Sequence, residues 1–372
     1  MGEVNKMKAL KTVGTGNKKV YFELLRIVAC ALVIFNHLEG YRLYGIASGS
    51  KQFFYMCLTM ITRMNVPIFF MISGALLFDR DEELSSVLKK RVIKVVLLLV
   101  LFDFVKISVD NICAIIHGED YTYTLYDFIR CILNNEIDAP YWYLYSYLGV
   151  LVTLPFFQRI AKKITKNEFL TLLVLHFISF SVFPIVNIFL TQIARPTLSL
   201  ATDFQVPFAF EKPFFYTLVG YYIDKKLDVY KLKSKHICGL SFLCFTGIIL
   251  SNLCTYIEAY INGVYSQNYV QLFDYVTSIV FFVLVKYIFV VVKPSLCEDN
   301  IGKNICFLGS MTLGIYMLDP ILKTVFYDKY ITVAEPLLPT LLVSLGWIII
   351  SMLLGTIITM VIKKIPGFKK IV

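Results

Sequence analysis

The sequence predicts an all-α integral membrane protein, a bundle of about ten transmembrane helices with both termini in the cytoplasm. Hydrophobic residues make up 58% of the 372 residues and charged residues only 17%, whereas a soluble domain has about 25% charged residues. Apolar stretches of roughly twenty residues recur along the chain, and this is the length that crosses about 30 Å of hydrocarbon. A chain of this composition cannot solvate its own surface in water. The composition therefore excludes a soluble globular protein.

The apolar stretches can be assigned one by one, because polar or charged residues separate them. The predicted spans are 20–38, 53–78, 92–116, 139–157, 169–190, 206–223, 237–257, 270–292, 304–322 and 337–362.

The distribution of lysine and arginine predicts the orientation of the chain. With the N-terminus in the cytoplasm, 25 of the 36 Lys and Arg residues fall in inner segments and six in outer segments, as the positive-inside rule requires. An odd number of spans would break this alternation. The net charge of +10 is therefore a topology signal, and we expect no nucleic-acid partner. Five further positive residues lie at membrane depth: Arg26, Arg63, Lys106, Lys212 and Lys286.

The domain organisation predicted from these spans is simple. Residues 1–19 form a basic cytoplasmic segment, residues 20–362 a single membrane domain, and residues 363–372 a basic cytoplasmic tail. The first span lacks a clear small-residue cleavage site, so we expect a retained anchor. The nine cysteines form no CxxC pair, and most lie in apolar runs, where cysteine behaves as a small hydrophobe.

One outer segment predicts a short amphipathic helix. Its apolar residues recur at the i, i+3, i+4, i+7 and i+8 positions, which places them on one helical stripe. We expect this helix to lie in the outer interface and to cover part of the bundle. The stripe consists of Leu125, Phe128, Ile129, Ile132 and Leu133.

Ionisable residues at membrane depth are costly, by about 3 kcal/mol or more on insertion scales, and usually face a cavity. Arg26 and His37 are eleven positions apart, which corresponds to three helical turns plus about 20° and roughly 16 Å of rise. Both therefore lie on one face of the first span, with Arg26 in the inner half and His37 near the outer surface. This alignment predicts a cavity along that face.

Structural alternatives to a functional role remain open for these residues. His37 can be an interfacial histidine at a helix end, and Arg26 can reach the cytoplasm or pair with Glu23 at i−3. For His176, which has no charged neighbour in its span, we favour a structural role.

Other polar groups reach the outer depth of His37 or lie within the bundle. Glu211 and Lys212 lie early in the sixth span between two prolines, and Asp319 lies late in the ninth span just before a proline. Arg63 lies near the middle of the second span, too deep to reach water easily. The pair Trp142 and Tyr143 begins the fourth span, where such a pair is most often a membrane anchor.

Five segments together resemble the membrane-bound acyltransferase 3 family, whose members include O-acetyltransferases of surface polysaccharides. The resemblance covers residues 21 to 362. It consists of the Arg-x10-His pattern at Arg26 and His37, residues 66–74 (VPIFFMISG), Trp142-Tyr143-Leu144 with Pro155 downstream, residues 214–222 (FFYTLVGYY) and residues 309–320 (GSMTLGIYMLDP). Relatives often carry histidine where this chain has Asp319.

The resemblance implies an acyl-CoA donor, with acetyl-CoA as the default of the family, and a glycan hydroxyl as acceptor, in a bacterial plasma membrane. Arg26 and Arg63 are expected to bind the anionic acyl-CoA. His37 is expected to act as general base or transient acyl acceptor, with Glu211 as a candidate partner. We expect the acceptor to contact Trp142, Tyr143 and Asp319, and we expect no metal.

Two other functions fit the same composition. A transporter or flippase for a lipid-linked sugar also combines intramembrane charges with proline-broken helices, although no internal repeat is visible. An accessory protein of polysaccharide export would explain the bundle but not the alignment of Arg26 with His37. Consumption of acyl-CoA distinguishes the enzyme from both.

Overall fold

The structure is a computed structural model, and it describes residues 19–38, 50–119, 122–134, 141–190, 200, 212–262, 272–331 and 337–366. Within these ranges every regular element is helical, which confirms the predicted all-α class. The main helices are α1 (Val20–His37), α2 (Ser50–Thr62), α3 (Asn65–Leu77), α4 (Leu84–Val87), α5 (Ile93–His117), α6 (Leu125–Asn134), α7 (Trp142–Val152), α8 (Leu154–Lys163), α9 (Lys166–Phe177), α10 (Phe183–Ile188), α11 (Lys212–Lys225), α12 (Ser234–Asn262), α13 (Asp274–Tyr287), α14 (Asn300–Gly309), α15 (Thr312–Ile331) and α16 (Leu337–Ile362).

Six helical segments of the described chain are long and apolar enough to cross a membrane, and a seventh is obtained when α14 and the start of α15, bent by 53°, count as one span. Three predicted spans contain helices that fail this test. Helix α5 carries several charges, α7 has only 11 residues, and α11 has 14. Both the count of ten and the side of each terminus remain predictions, and residues 1–18 lie outside the described ranges.

The chain forms two compact units. The α1 unit comprises the described residues of 14–40, 82–155 and 297–372, and the α3 unit those of 41–81 and 156–296. In the α1 unit, α1 lies against α14, α15 and α16. Glycines permit this packing, because a Cβ on Gly314 of α15 would lie 2.3 Å from Thr359 Oγ1 of α16.

The α3 unit is built on a close crossing of α3 and α11. A Cβ on Gly74 would lie 1.8 Å from the carbonyl oxygen of Thr217, and a Cβ on Gly220 would lie 2.0 Å from that of Met71. Each helix thus offers a glycine to the backbone of the other. Among the aromatic rings of this unit, Phe169 stacks on Tyr222 at 3.7 Å.

Lysine side chains also hold helix ends. The ammonium group of Lys286, which is 6% exposed, donates hydrogen bonds to the carbonyls of Ile223, Asp224 and Leu227 at 2.7 to 3.1 Å. These carbonyls lie at the end of α11, where the helix leaves its last acceptors unpaired. In the α1 unit, Lys363 donates to Ser310 O at 2.8 Å, just after α14. A positive charge at a helix C-terminus is also favourable to the helix dipole.

The predicted amphipathic helix is present as α6, and its position at the outer interface stays a prediction. Phe128 packs edge-on against Phe104 of α5, with ring centroids 5.9 Å apart. Leu125, Ile129 and Leu133 are exposed. The apolar stripe is therefore divided between contact with α5 and an outward face, as expected for a helix that lies partly in lipid.

Candidate active site

His37 ends helix α1 and contacts a carboxylate from a helix 282 residues further along the chain. Its Nδ1 lies 2.6 Å from Asp319 Oδ2. Asp319 is fully buried, and Ser351 of α16 donates a hydrogen bond to its other oxygen, Oδ1, at 2.7 Å. The three side chains form a chain of hydrogen bonds across α1, α15 and α16.

Local sequence features bring these helices together. Gly314 lets α16 approach α15, as described above, and Gly355 of α16 faces Ile315, to which a Cβ would lie 3.2 Å away. Lys323, one turn after Asp319, donates a hydrogen bond to the carbonyl oxygen of His37 at 2.6 Å. This bond ties the end of α1 to α15 and satisfies a carbonyl that the helix itself leaves unpaired.

The arrangement determines which nitrogen of His37 is available for chemistry. When Asp319 is ionised it can only accept a hydrogen bond from His37, and the proton of a neutral ring then lies on Nδ1. Nε2 then carries the lone pair. A histidine oriented in this way can accept a proton or attack an electrophile at Nε2, and the buried carboxylate stabilises the imidazolium that results.

An aromatic cluster lies beside the histidine. The ring centroid of Tyr316 is 6.4 Å from that of His37, and Tyr141 and Tyr143 pack edge-on against Tyr316 at 6.4 and 6.1 Å. Tyr143 is therefore connected to His37 through Tyr316. Trp142 is 45% exposed, which agrees with the membrane-anchor alternative and does not test a contact with acceptor.

Arg26 forms the ion pair that the sequence left open. Its Nη1 lies 2.6 Å from Glu23 Oε1, with the Arg26 side chain 27% exposed. On the face between Arg26 and His37, Cys30 and Val33 are buried. The predicted cavity does not follow this strip, because α15 packs there, with Cys30 Sγ 3.8 Å from Thr312 O.

The remaining predicted residues are placed differently. Arg63 belongs to the α3 unit and lies at the break between α2 and α3, four residues before Pro67, which has no N–H to donate to the Arg63 carbonyl. Glu211 lies outside the described residues, so its proposed contact with His37 stays a prediction. His176 is fully buried and stacks on Phe215 at 3.5 Å, in agreement with a structural role.

Asp319 requires a changed interpretation. The sequence suggested a contact with acceptor, yet both carboxylate oxygens bind protein groups and the residue is inaccessible. A carboxylate just before a proline in an apolar helix indicates a residue that is paired inside the bundle, and this signal was present in the sequence at Asp319. Ser351, Lys323 and Tyr316 were missed, because single Ser, Lys and Tyr residues near span ends are common. Within the described part of the chain, no group of three His, Cys, Asp or Glu side chains could hold a metal ion.

Comparison with known proteins identifies the family of this chain. A family model described as an acyltransferase domain matches residues 19–363, which is nearly the whole chain. No curated protein and no solved structure gave a match. The chain, a membrane protein in which His37 contacts the buried Asp319, belongs to the acyltransferase 3 family and is an acyltransferase.

Proposed function

We propose that this acyltransferase moves an acetyl group from cytoplasmic acetyl-CoA to a hydroxyl of a cell-surface or lipid-linked glycan, in a bacterial plasma membrane. The observation that carries the proposal is the His37 Nδ1 to Asp319 Oδ2 contact of 2.6 Å, because it leaves a basic nitrogen at the outer end of α1. Ten spans with both termini in the cytoplasm complete the topology, supported by the 25 to 6 distribution of Lys and Arg.

The donor side of the site is built on arginine. In this topology Arg26 lies in the inner half of the membrane, and its partly exposed guanidinium suits the phosphates of CoA, since guanidinium groups bind phosphate with paired hydrogen bonds. Arg63 is the second candidate. The pantetheine arm runs beside the packed Cys30 and Val33 strip and brings the thioester toward His37.

The transfer step uses Nε2, the ring nitrogen of His37 that does not contact Asp319. Nε2 removes the proton of the sugar hydroxyl as the oxygen attacks the thioester carbonyl. The C–S bond then breaks, and the CoA thiolate takes the proton from the imidazolium. Asp319 acts as a positioning residue that also stabilises the imidazolium. Trp142 is exposed and offers an aromatic face to the acceptor sugar. Tyr143 is buried beside it, against Tyr147 and Tyr316, and contacts the acceptor in this proposal through the edge of this cluster.

The Asp319→Asn variant tests the pair. Asparagine keeps the size of the side chain but removes the negative charge, so the imidazolium formed during transfer is no longer stabilised. We expect kcat to fall roughly 10²-fold with little change in KM for acetyl-CoA. Asp81→Asn, at an exposed carboxylate, serves as the control. A near wild-type kcat in Asp319→Asn would show that the His37–Asp319 pair does not contribute to the transfer step.

The function itself is tested with purified protein in nanodiscs, radiolabelled acetyl-CoA and an envelope-glycan extract. We expect label to leave CoA and to appear on glycan only when the extract is present. Folded protein that consumes no acetyl-CoA but moves a lipid-linked sugar across the bilayer would contradict the proposal and support the flippase alternative.

A further inference from the structure

Glu23 is a buried carboxylate that the proposed transfer step does not use. It is 3% exposed, and its Oε1 accepts the hydrogen bond from Arg26 Nη1. Its second oxygen, Oε2, is also buried and has no hydrogen-bond partner among the residues that the structure describes. A half-satisfied buried carboxylate is costly, and an apolar residue would pack the same position without that cost.

The backbone of α14 fixes this carboxylate in place. A Cβ on Gly309 would lie 2.5 Å from Glu23 Oε2 and 2.9 Å from Glu23 Cα. Helix α14 thus passes directly over Glu23, which is held inside the unit while Arg26 extends outward. In this ion pair, Arg26 is therefore the residue that can exchange contacts with a ligand.

The arginine keeps most of its binding capacity. A guanidinium has five N–H donors, and Glu23 engages only Nη1. Within the described part of the chain, the other donors can bind oxygens of an anionic ligand. The negative charge of Glu23 lies within 3 Å of the group that would bind the ligand, so it opposes the attraction between Arg26 and any phosphate.

We propose that Glu23 is an internal counter-anion of the donor site, which orients Arg26 and weakens its hold on CoA so that the product leaves after transfer. This inference rests on the proposed function, in which Arg26 binds acyl-CoA. Glu23 is a positioning residue with an electrostatic effect, and its removal should strengthen the binding of CoA. A purely structural role predicts the opposite, since a disturbed arginine binds anions less well.

The Glu23→Gln variant distinguishes the electrostatic role of Glu23 from a purely structural role. The glutamine oxygen still accepts from Arg26 Nη1, but the charge is gone. Using titration calorimetry with CoA on the full chain in nanodiscs, we expect Kd to fall roughly 3- to 10-fold. In the Arg26→Gln background, Glu23→Gln should give less than a twofold change, because the two effects are coupled.

Control variants make the outcomes distinct. Asp127→Asn removes another carboxylate paired with an arginine at i+3, Arg130, and should leave Kd unchanged. Glu23→Met, which is neutral and leaves no buried amide, replaces Glu23→Gln if that variant does not fold. If the Glu23 variants bind CoA no more tightly than wild type, while Arg26→Gln still weakens CoA binding, the inference about Glu23 is overturned and the proposed donor site stands. Wild-type protein that does not bind CoA would overturn the proposed donor and this inference with it.

Discussion

Replacing His37 with glutamine is expected to lower the rate of acetyl transfer by about 10²- to 10⁴-fold. Glutamine is neutral, of similar length, and can still bond to Asp319 through its amide nitrogen. It has no nitrogen that accepts a proton near neutral pH. The loss should therefore appear in kcat, measured with labelled acetyl-CoA and glycan extract, while the binding of CoA to the donor site persists.

His117→Gln is the control for this variant. His117 is exposed at the end of α5, outside the contacts of the His37 pair. The His117→Gln variant should transfer acetyl groups at the wild-type rate. If His37→Gln keeps activity within tenfold of wild type in folded protein, His37 is not the base, and Nε2 has no part in the reaction.

Replacing Gly74 or Gly220 with alanine is expected to disrupt the α3 unit. The added Cβ would lie 1.8 or 2.0 Å from a carbonyl oxygen of the opposite backbone. No side-chain rotation relieves a clash between a Cβ and a backbone, so α3 and α11 must move apart by more than 1 Å. We expect a loss of about 3 kcal/mol or more in the free energy of unfolding and a fall in Tm of roughly 5–10 °C or failure to fold.

The measurement is thermal unfolding of detergent-purified protein, followed by size-exclusion chromatography with fluorescence detection. Gly239→Ala in α12 is the matched control, because a Cβ there meets nothing within 4 Å. Alanine also favours the helix over glycine by about 1 kcal/mol, so this variant should be as stable as wild type. Wild-type Tm in both Gly74→Ala and Gly220→Ala would show that α3 and α11 do not cross this closely.

Several parts of the site could be predicted because they depend on one segment of chain. The i, i+3 spacing of Glu23 and Arg26 allowed their ion pair, and the eleven-residue interval placed Arg26 and His37 on one face. The same interval gave a wrong expectation for the cavity. Helical geometry shows which side chains share a face, but it does not show whether another helix packs on that face, as α15 does at Cys30.

The sequence alone determined the helical membrane class, the candidate residues and, through five short segments, the family resemblance, since hydropathy, periodicity and motif spacing are properties of the local chain. Only the tertiary structure decided that Asp319 contacts His37, that Ser351 binds Asp319, and that Lys323 holds the end of α1. The contacts of His37 with Asp319 and Lys323 join positions 282 and 286 residues apart in sequence, and Ser351 lies 32 residues from Asp319. They depend on how closely glycine-bearing helices approach, and no pattern within a single helix encodes that distance.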